Sequence, residues 1–181
     1  MTMNVSASIK VAHAISGGGT VTDYATAASA LLQQTETATL EAGAGTGQAN
    51  QMFTREMSVA GLGTLAIDLQ AFINDLYEAG ELMDALKYLF VKNTGLKAVG
   101  TASEAIITVG PGVANGLFGA AQPWGADGDL NSILPGGRLI LEAAAAAGYT
   151  VDATHKTILI TNTHATHDVV VKVVAIGVDA P

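Results

Sequence analysis

The sequence contains no cysteine, which excludes disulfides, thiolate metal sites and cysteine nucleophiles together. Charged residues are also scarce, at 13% of the chain against roughly a quarter in typical soluble domains. This shortfall indicates that part of the surface is buried against other copies of the chain or against another protein. No apolar run approaches the roughly 18 residues that a membrane-spanning helix needs, so we expect no membrane insertion.

Basic residues are fewer than acidic ones, 8 against 16, and the formal net charge is −8. The bases are scattered singly along the sequence. Because nucleic-acid affinity comes largely from Lys and Arg that neutralise phosphates, this balance argues against a nucleic-acid partner. The N-terminal stretch MTMNVSASIKVAHAI lacks the basic start and the continuous apolar centre of a signal peptide.

The first part of the chain reads as a strand followed by a short helix. Residues 4–16, NVSASIKVAHAIS, alternate polar and apolar side chains and predict a strand. His13 falls on its apolar face, where we expect a half-buried ring with a backbone partner. Asp23 is placed to cap a short helix over residues 23–34, DYATAASALLQQ, whose Ala and Leu content favours helix.

A strand and a glycine-rich segment come next. TETATLEA, residues 35–42, predicts a short strand, and GAGTGQAN, residues 43–50, predicts a flexible linker. The linker contains G-x-G-x-G, but no Lys follows it and no strand-turn-helix unit surrounds it, so it does not predict a phosphate loop. We therefore expect two regions, an N-terminal arm over residues 1–50 and a core domain over residues 51–181.

From residue 51 onward the sequence is typical of β structure. The predicted strands are QMFTREMSVA, GTLAIDLQ, LKYLFVKN, EAIITVG, RLILEA, KTILITN and DVVVKVVAIG. Asn93-Thr94-Gly95 and Pro111-Gly112 end two of them, and the last two are predicted to close the chain as a hairpin. The mixed segment AFINDLYEAGELMDA has room for a helical turn. About eight to ten short strands with at most one or two short helices predict an antiparallel β-sandwich or jelly roll.

Motifs that carry enzyme chemistry are missing from the sequence. It has no G-x-S-x-G, H-E-x-x-H, P-loop or EF-hand loop. Asp127 and Asp129 in GADGDLN have the alternate spacing of calcium ligands, but no later Glu supplies a bidentate ligand, which favours a solvated turn. We predict no catalytic, cofactor-binding or metal-binding residue and no enzymatic activity.

The histidines His155, His164 and His167 are the one cluster that could suggest a metal or acid/base site, with Asp168 directly after the last. If residues 156–162 form a strand, it rises ~3.3 Å per residue and separates His155 from the other two. His164 and His167 then share a loop in which their rings either splay or meet. Two loop ligands bind metal poorly without a third, so THATHD is interpreted as a polar turn, with clustering around a symmetry axis left open.

Residues 111–137 form a turn-rich segment whose apolar residues are expected to anchor it: Leu117, Phe118 and Trp124. Trp124 is the only tryptophan. Such a residue usually fixes a long loop to the core or to a neighbouring subunit. The alternative is a carbohydrate-stacking platform shared with Tyr149 and the loop of Asp127 and Asp129.

Four segments carry a resemblance to a known class of protein: LKYLFVKNTG, LPGGRLIL, GYTVDATHKTILITN and DVVVKVVAIG. Their order resembles that of β-sandwich structural proteins in the virions of tailed bacteriophages, over roughly residues 62–178. The resemblance implies a virion component, in particular a head decoration (cement) protein that forms homotrimers on the capsid surface. It also implies the major capsid protein as partner, synthesis in the host cytoplasm, and no cofactor.

Three other functions remain open from the sequence. One is a tail or baseplate component of the same kind of virion. Another is a carbohydrate-binding module, and the third is an enzyme that uses His164, His167 and Asp168. If the chain is a decoration protein, its functional surfaces are interfaces with other chains. The candidates are residues 4–16, Trp124 and residues 111–137. Residues 4–16 would pair with the edge of a neighbouring subunit's sheet.

Overall fold

The computed structural model describes residues 5–13, 32–73, 80–143 and 147–179. This part of the chain contains strands, turns and irregular segments, and no helix. Its fourteen strands are β1 (Val5–His13), β2 (Leu32–Ala42), β3 (Gln48–Ala49), β4 (Gln51–Val59), β5 (Thr64–Asp68), β6 (Phe72–Ile73), β7 (Gly80–Glu81), β8 (Ala85–Asn93), β9 (Ile107–Pro111), β10 (Asn131–Ile133), β11 (Arg138–Glu142), β12 (Tyr149–Thr150), β13 (Thr157–Asn162) and β14 (Val169–Val178).

Two antiparallel sheets pack against each other and form a β-sandwich. The smaller sheet has the strand order β10-β9-β13-β5, and the larger has β11-β8-β14-β4 with β12 added to β8. The prediction of a mainly β, antiparallel sandwich is therefore confirmed. The strand count exceeds the predicted one because several strands have only two or three residues and leave little periodic signal.

The core lies between the sheets and follows directly from the alternation of side chains. On β14, Val169, Val171, Val173 and Ala175 are fully buried, while the residues between them are at least partly exposed or face the other side. A strand sends successive side chains to opposite faces, so one apolar set enters the sandwich. A single buried cluster joins residues of both sheets, including Ile160 of β13.

The closing hairpin predicted from the last two long strands is wrong. β13 lies in the smaller sheet between β9 and β5, and β14 lies in the larger sheet between β8 and β4. Residues 163–168 therefore cross from one sheet to the other. Both strands present one apolar face to the same core, and this periodicity does not distinguish a hairpin from a crossover.

The N-terminal strands form a small sheet of their own. β1 pairs antiparallel with β2 from Val5↔Leu40 to His13↔Leu32, and β3 pairs parallel with the end of β2. The strand predicted over residues 4–16 is thus observed over β1, with β2 of the same chain as its partner. The surroundings of the His13 side chain lie outside the described part of the structure.

Two helical predictions fall partly outside the described residues. Of the helix predicted over residues 23–34, only 32–34 are described, and they belong to β2, where pairing with β1 prevails over the local Ala and Leu preference. In the mixed segment at 71–85, β6 and β7 pair with each other, and residues 74–79 are outside the description.

The glycine-rich segment is more ordered than a flexible linker. Its end forms β3, and Ala49 is fully buried. Ala49 and Leu40 pack with Tyr88 and Ile176 on the outer face of the larger sheet. The Asn50 amide donates to the Asp179 carbonyl at 2.8 Å and its Oδ1 accepts the Asp179 N–H, also at 2.8 Å. The last residues of the predicted arm are therefore fastened to the sandwich.

Candidate functional site: the loop end of the sandwich

Four connections cross between the sheets at one end of the sandwich, and we call them the loop end. They are residues 60–63, 94–106, 134–137 and 163–168. Strand registers bring them together, because Val59 pairs with Val169 and Asn162 pairs with Ile107. The THATHD segment lies among them, and its His164 carbonyl accepts the Leu62 N–H at 2.9 Å.

The carboxamide of Asn93, the last residue of β8, joins the two sheets at the loop end. Asn93 is fully buried, and its Nδ2 donates to the carbonyls of Ala105 at 2.7 Å and Ile133 at 3.1 Å. Its Oδ1 accepts the Gly95 N–H at 2.9 Å. These bonds use both donors of the amide and one acceptor site, which offsets the cost of burying it.

Asn162 repeats this arrangement from the smaller sheet. It ends β13, is fully buried, and its Nδ2 donates to the carbonyls of Val59 at 3.1 Å and His167 at 2.7 Å. Its Oδ1 accepts the His164 N–H at 2.9 Å. Each sheet therefore contributes one buried asparagine whose carboxamide donates hydrogen bonds to the backbone at the ends of strands in the other sheet.

A threonine follows each of these asparagines and bonds in the same way both times. The N–H and hydroxyl of Thr94 donate to the Val170 carbonyl at 3.1 and 2.7 Å. Those of Thr163 donate to the Ile106 carbonyl at 3.0 and 2.9 Å. The sequence prediction placed a turn at Asn93 but missed the bridging role of both asparagines. The available signal was an Asn-Thr pair directly after an apolar strand, once in LFVKNTG and again in ILITNTH.

The rings of His164 and His167 meet, but as a stack. Their centroids are 4.2 Å apart and their planes differ by 11°. The Nδ1 of His164 accepts the N–H groups of Thr166 at 3.2 Å and His167 at 2.9 Å, which assigns its proton to Nε2. Ring lone pairs lie in the ring plane, so two nearly parallel rings do not aim them at one ion. The pair fixes the turn and does not form a chelate.

His155 stands at the far end of β13 from these two rings. Its Nδ1 lies 3.1 Å from Asp152 Oδ1, within a local turn. Among the residues that the structure describes, no group of three His, Cys, Asp or Glu side chains is arranged to hold a metal ion. The arrangement of the histidines is thus that of two separate turns.

Asp168 ties the THATHD segment to its neighbours. Its Oδ2 accepts the Ala98 N–H at 2.7 Å and the Ser58 hydroxyl at 3.4 Å, and its carbonyl accepts the Ser103 hydroxyl at 2.7 Å. The Ala98 bond is the main cause that holds the pKa of this carboxyl below its usual range, and the Ser58 bond and the Lys97 charge add to it. The ionised carboxylate is therefore a structural link between three segments.

We expect the loop end to lose stability in acid through Asp168. A carboxyl whose pKa is depressed by folding stabilises the protein above the unfolded pKa of roughly 4, and this contribution disappears as the pH falls below it. Asp168→Asn should therefore lose less stability than the wild type between about pH 6 and pH 3. Urea unfolding across this range measures the difference, and parallel curves for both proteins would contradict the assignment.

Large apolar side chains are exposed at the loop end although its backbone is well bonded. Leu62 is 67% exposed, Val99 80% and Leu134 63%, and Leu96 and Ile106 are exposed to a smaller extent. Three of the four connections carry at least one of these residues, and the exception is the THATHD segment. Such a group of apolar side chains on a rigid surface is typical of a protein–protein contact.

Trp124 lies inside the core and offers no platform for a sugar. Its side chain is 4% exposed, and its Nε1–H donates to Asn131 Oδ1 at 2.9 Å. Leu117 is fully buried beside it in the same cluster, and Phe118 and Tyr149 pack against that cluster. Asp127 and Asp129 are exposed, and Asp129 Oδ2 accepts the Ala126 N–H at 2.9 Å, which describes a solvated turn.

No protein-family model matches the chain, and no curated protein is significantly similar to it. Across the described ranges, no helix is long and apolar enough to span a membrane. The class of protein that the described fold defines is an antiparallel β-sandwich with interlocked loops at one end.

Proposed function

We propose that the protein is a non-enzymatic structural component of a tailed-bacteriophage virion. In particular, it is a decoration (cement) protein that binds the outer surface of the head as a homotrimer and stabilises it. The observation that carries the proposal is the loop end, where interlocked loops present Leu62, Val99 and Leu134 to solvent. Its partners are other copies of the chain and the major capsid protein, and its location is the capsid surface of the virion.

The fixed backbone of the loop end supports a binding role. The buried carboxamides of Asn93 and Asn162 donate hydrogen bonds to the backbone at the ends of the crossing connections. The exposed apolar residues therefore have a fixed arrangement before a partner binds. A surface that is already ordered loses little conformational entropy on binding. Binding of a partner protein to such a surface depends on apolar area and on shape complementarity, and the low content of charged residues in the chain is consistent with a surface of this type.

The N-terminal strands supply a second support. β1 lies at the edge of its small sheet, and within the described part of the chain only β2 pairs with it. A free strand edge can accept a strand from a neighbouring subunit through main-chain hydrogen bonds. The net charge of −8 suits a position outside the shell, away from packaged DNA.

A tail or baseplate component is the alternative within the same virion, because the loop end could equally bind a protein of the head or a protein of the tail. The carbohydrate-binding alternative has lost its platform, since Trp124 is buried. The enzyme alternative is weakened because His164 Nδ1 and the Asp168 carboxylate are both engaged in holding the backbone of neighbouring loops.

The test uses purified heads and tails of the phage whose genome encodes the chain. We expect the wild type to co-sediment with heads, and Val99→Asp at the loop end to weaken this binding about tenfold or more by placing a charge in an apolar contact. Val113→Asp is the matched control, since Val113 is 84% exposed but lies after β9 at the opposite end.

Three results would contradict the proposal. Binding to tails alone would favour the tail alternative, and absence of binding to either particle would reject a virion role. Equal losses in Val99→Asp and Val113→Asp would reject the loop end as the contact surface.

A further inference from the structure

The fold gathers on one surface the basic residues that the sequence scatters. Arg138 pairs with Lys92, Lys92 pairs with Lys172, and Lys172 pairs with Glu56, in a single row across β11, β8, β14 and β4. Directly paired residues point to the same face of a sheet. This is the outer face, because on β14 the residues on either side of Lys172 enter the core.

A cavity of about 320 Å³ lies over this row, between the sheet and the 94–100 segment. Lys92, Lys172 and Glu56 line its floor, and Lys97 lines its other wall together with Thr94. With Arg138 beside Lys92, four of the chain's eight Lys and Arg residues lie in or next to one cavity. The volume is at the small end of ligand pockets, sufficient for a compact ion with a small attached group.

The carboxylates near the cavity do not balance these cations. Glu56 Oε2 is 2.8 Å from Lys172 Nζ, so this pair is satisfied. The Asp168 carboxylate interacts electrostatically with Lys97, and it also accepts the Ala98 N–H. No described carboxylate forms an ion pair with Lys92 or Arg138. Like charges directly opposite on neighbouring strands repel, so a bound anion would offset the repulsion between the basic residues of this row.

From this arrangement we propose that the cavity binds a small multivalent oxyanion, a phosphate or sulfate group, free or as an ester. The lysine ammonium groups act as point charges and do not impose the planar fork that selects a carboxylate, so charge number decides the affinity. The net charge of −8 disfavours extended polyanions such as nucleic acid, which favours a compact anion as the ligand. This binding does not depend on the proposed virion role.

The test is calorimetric titration of the full chain in about 20 mM salt, where ionic screening is weak. The probes are inorganic pyrophosphate, glucose 6-phosphate as an ester, and acetate as a monovalent carboxylate. We expect pyrophosphate to bind with a dissociation constant of about 1 mM or lower and acetate to bind at least tenfold more weakly. Tighter binding of glucose 6-phosphate than of pyrophosphate would identify an ester as the ligand type.

Three variants locate the site. Lys92→Met should weaken pyrophosphate binding about tenfold, and Glu56→Gln should strengthen it severalfold by removing the only carboxylate of the row. Lys156→Met is the matched control, because Lys156 is paired with Asp68 at 2.8 Å at the opposite end of β13 and should leave binding unchanged.

Melting temperatures without ligand show that the variants fold. Lys92→Met should melt at or above the wild-type temperature at low salt, since it removes a repelling charge. The proposal is overturned if the wild type does not bind pyrophosphate at about 10 mM, a concentration tenfold above the expected dissociation constant. It is also overturned if Lys92→Met binds as tightly as the wild type, or if Glu56→Gln weakens binding.

Discussion

Replacing Asn93 by leucine is expected to lower the free energy of unfolding by about 4 kcal/mol. The substitution keeps the side-chain volume roughly constant but leaves the carbonyls of Ala105 and Ile133 without their shared donor, inside a fully buried site. Each buried polar group left unpaired costs roughly 1–3 kcal/mol. Asn162→Leu should have a similar effect, because its amide donates to the carbonyls of Val59 and His167 in the same way.

Urea or thermal unfolding measures this loss, which corresponds to a fall in melting temperature of roughly 10 °C for a chain of this size. Asn131→Leu is the control, since Asn131 is exposed and accepts one hydrogen bond, from the Trp124 indole. Its loss should be about 1 kcal/mol. Equal, small losses in Asn93→Leu and Asn131→Leu would show that the buried amides do not hold the loop end.

Trp124→Ala is expected to cost about 4 kcal/mol, for a different physical reason. The indole is buried between the long 112–130 connection and the core, so its removal leaves a large cavity and frees the Asn131 carboxamide. The backbone around it is also anchored, because the Trp124 carbonyl accepts the Gly119 N–H at 2.8 Å. The loss should therefore appear as global destabilisation, with the 112–130 connection opening first.

Chemical unfolding followed by circular dichroism measures this change, since the variant has no tryptophan fluorescence. Trp124→Phe is the matched control, because it retains most of the apolar contact and loses the indole hydrogen bond. It should cost about 1–2 kcal/mol. A stability loss below about 1 kcal/mol in Trp124→Ala, together with loss of glycan binding, would restore the carbohydrate-binding alternative.

Much of the fold could be predicted from the sequence because side-chain alternation is a local signal. The runs LKYLFVKN, KTILITN and DVVVKVVAIG correspond to β8, β13 and β14. The pairing of strands could not be predicted from it. β13 and β14 both present one apolar face to the same core, and their sequences do not show that they belong to different sheets.

The loop end and the row of basic residues were less predictable, because both are formed by residues that only the register of the paired strands brings together. Lys92, Arg138 and Lys172 are separated by 34 or more residues in sequence and become neighbours only through strand pairing. The burial of Asn93 and Asn162 likewise depends on the opposite sheet, while in sequence each resembles an ordinary turn residue. THATHD is a loop, as predicted, but it connects the two sheets and does not close a hairpin, and its contacts with Leu62 and Ala98 are long-range.

The assembly state of the full chain tests the central claim, that this is a structural protein that acts through contacts with other chains. Native mass spectrometry over a range of protein concentrations measures it directly. We predict a homotrimer for the wild type and for both Val113→Asp and Val99→Asp, because Val99 lies in the proposed contact with the head and not between subunits. A wild-type chain that remains strictly monomeric at high concentration would contradict the account.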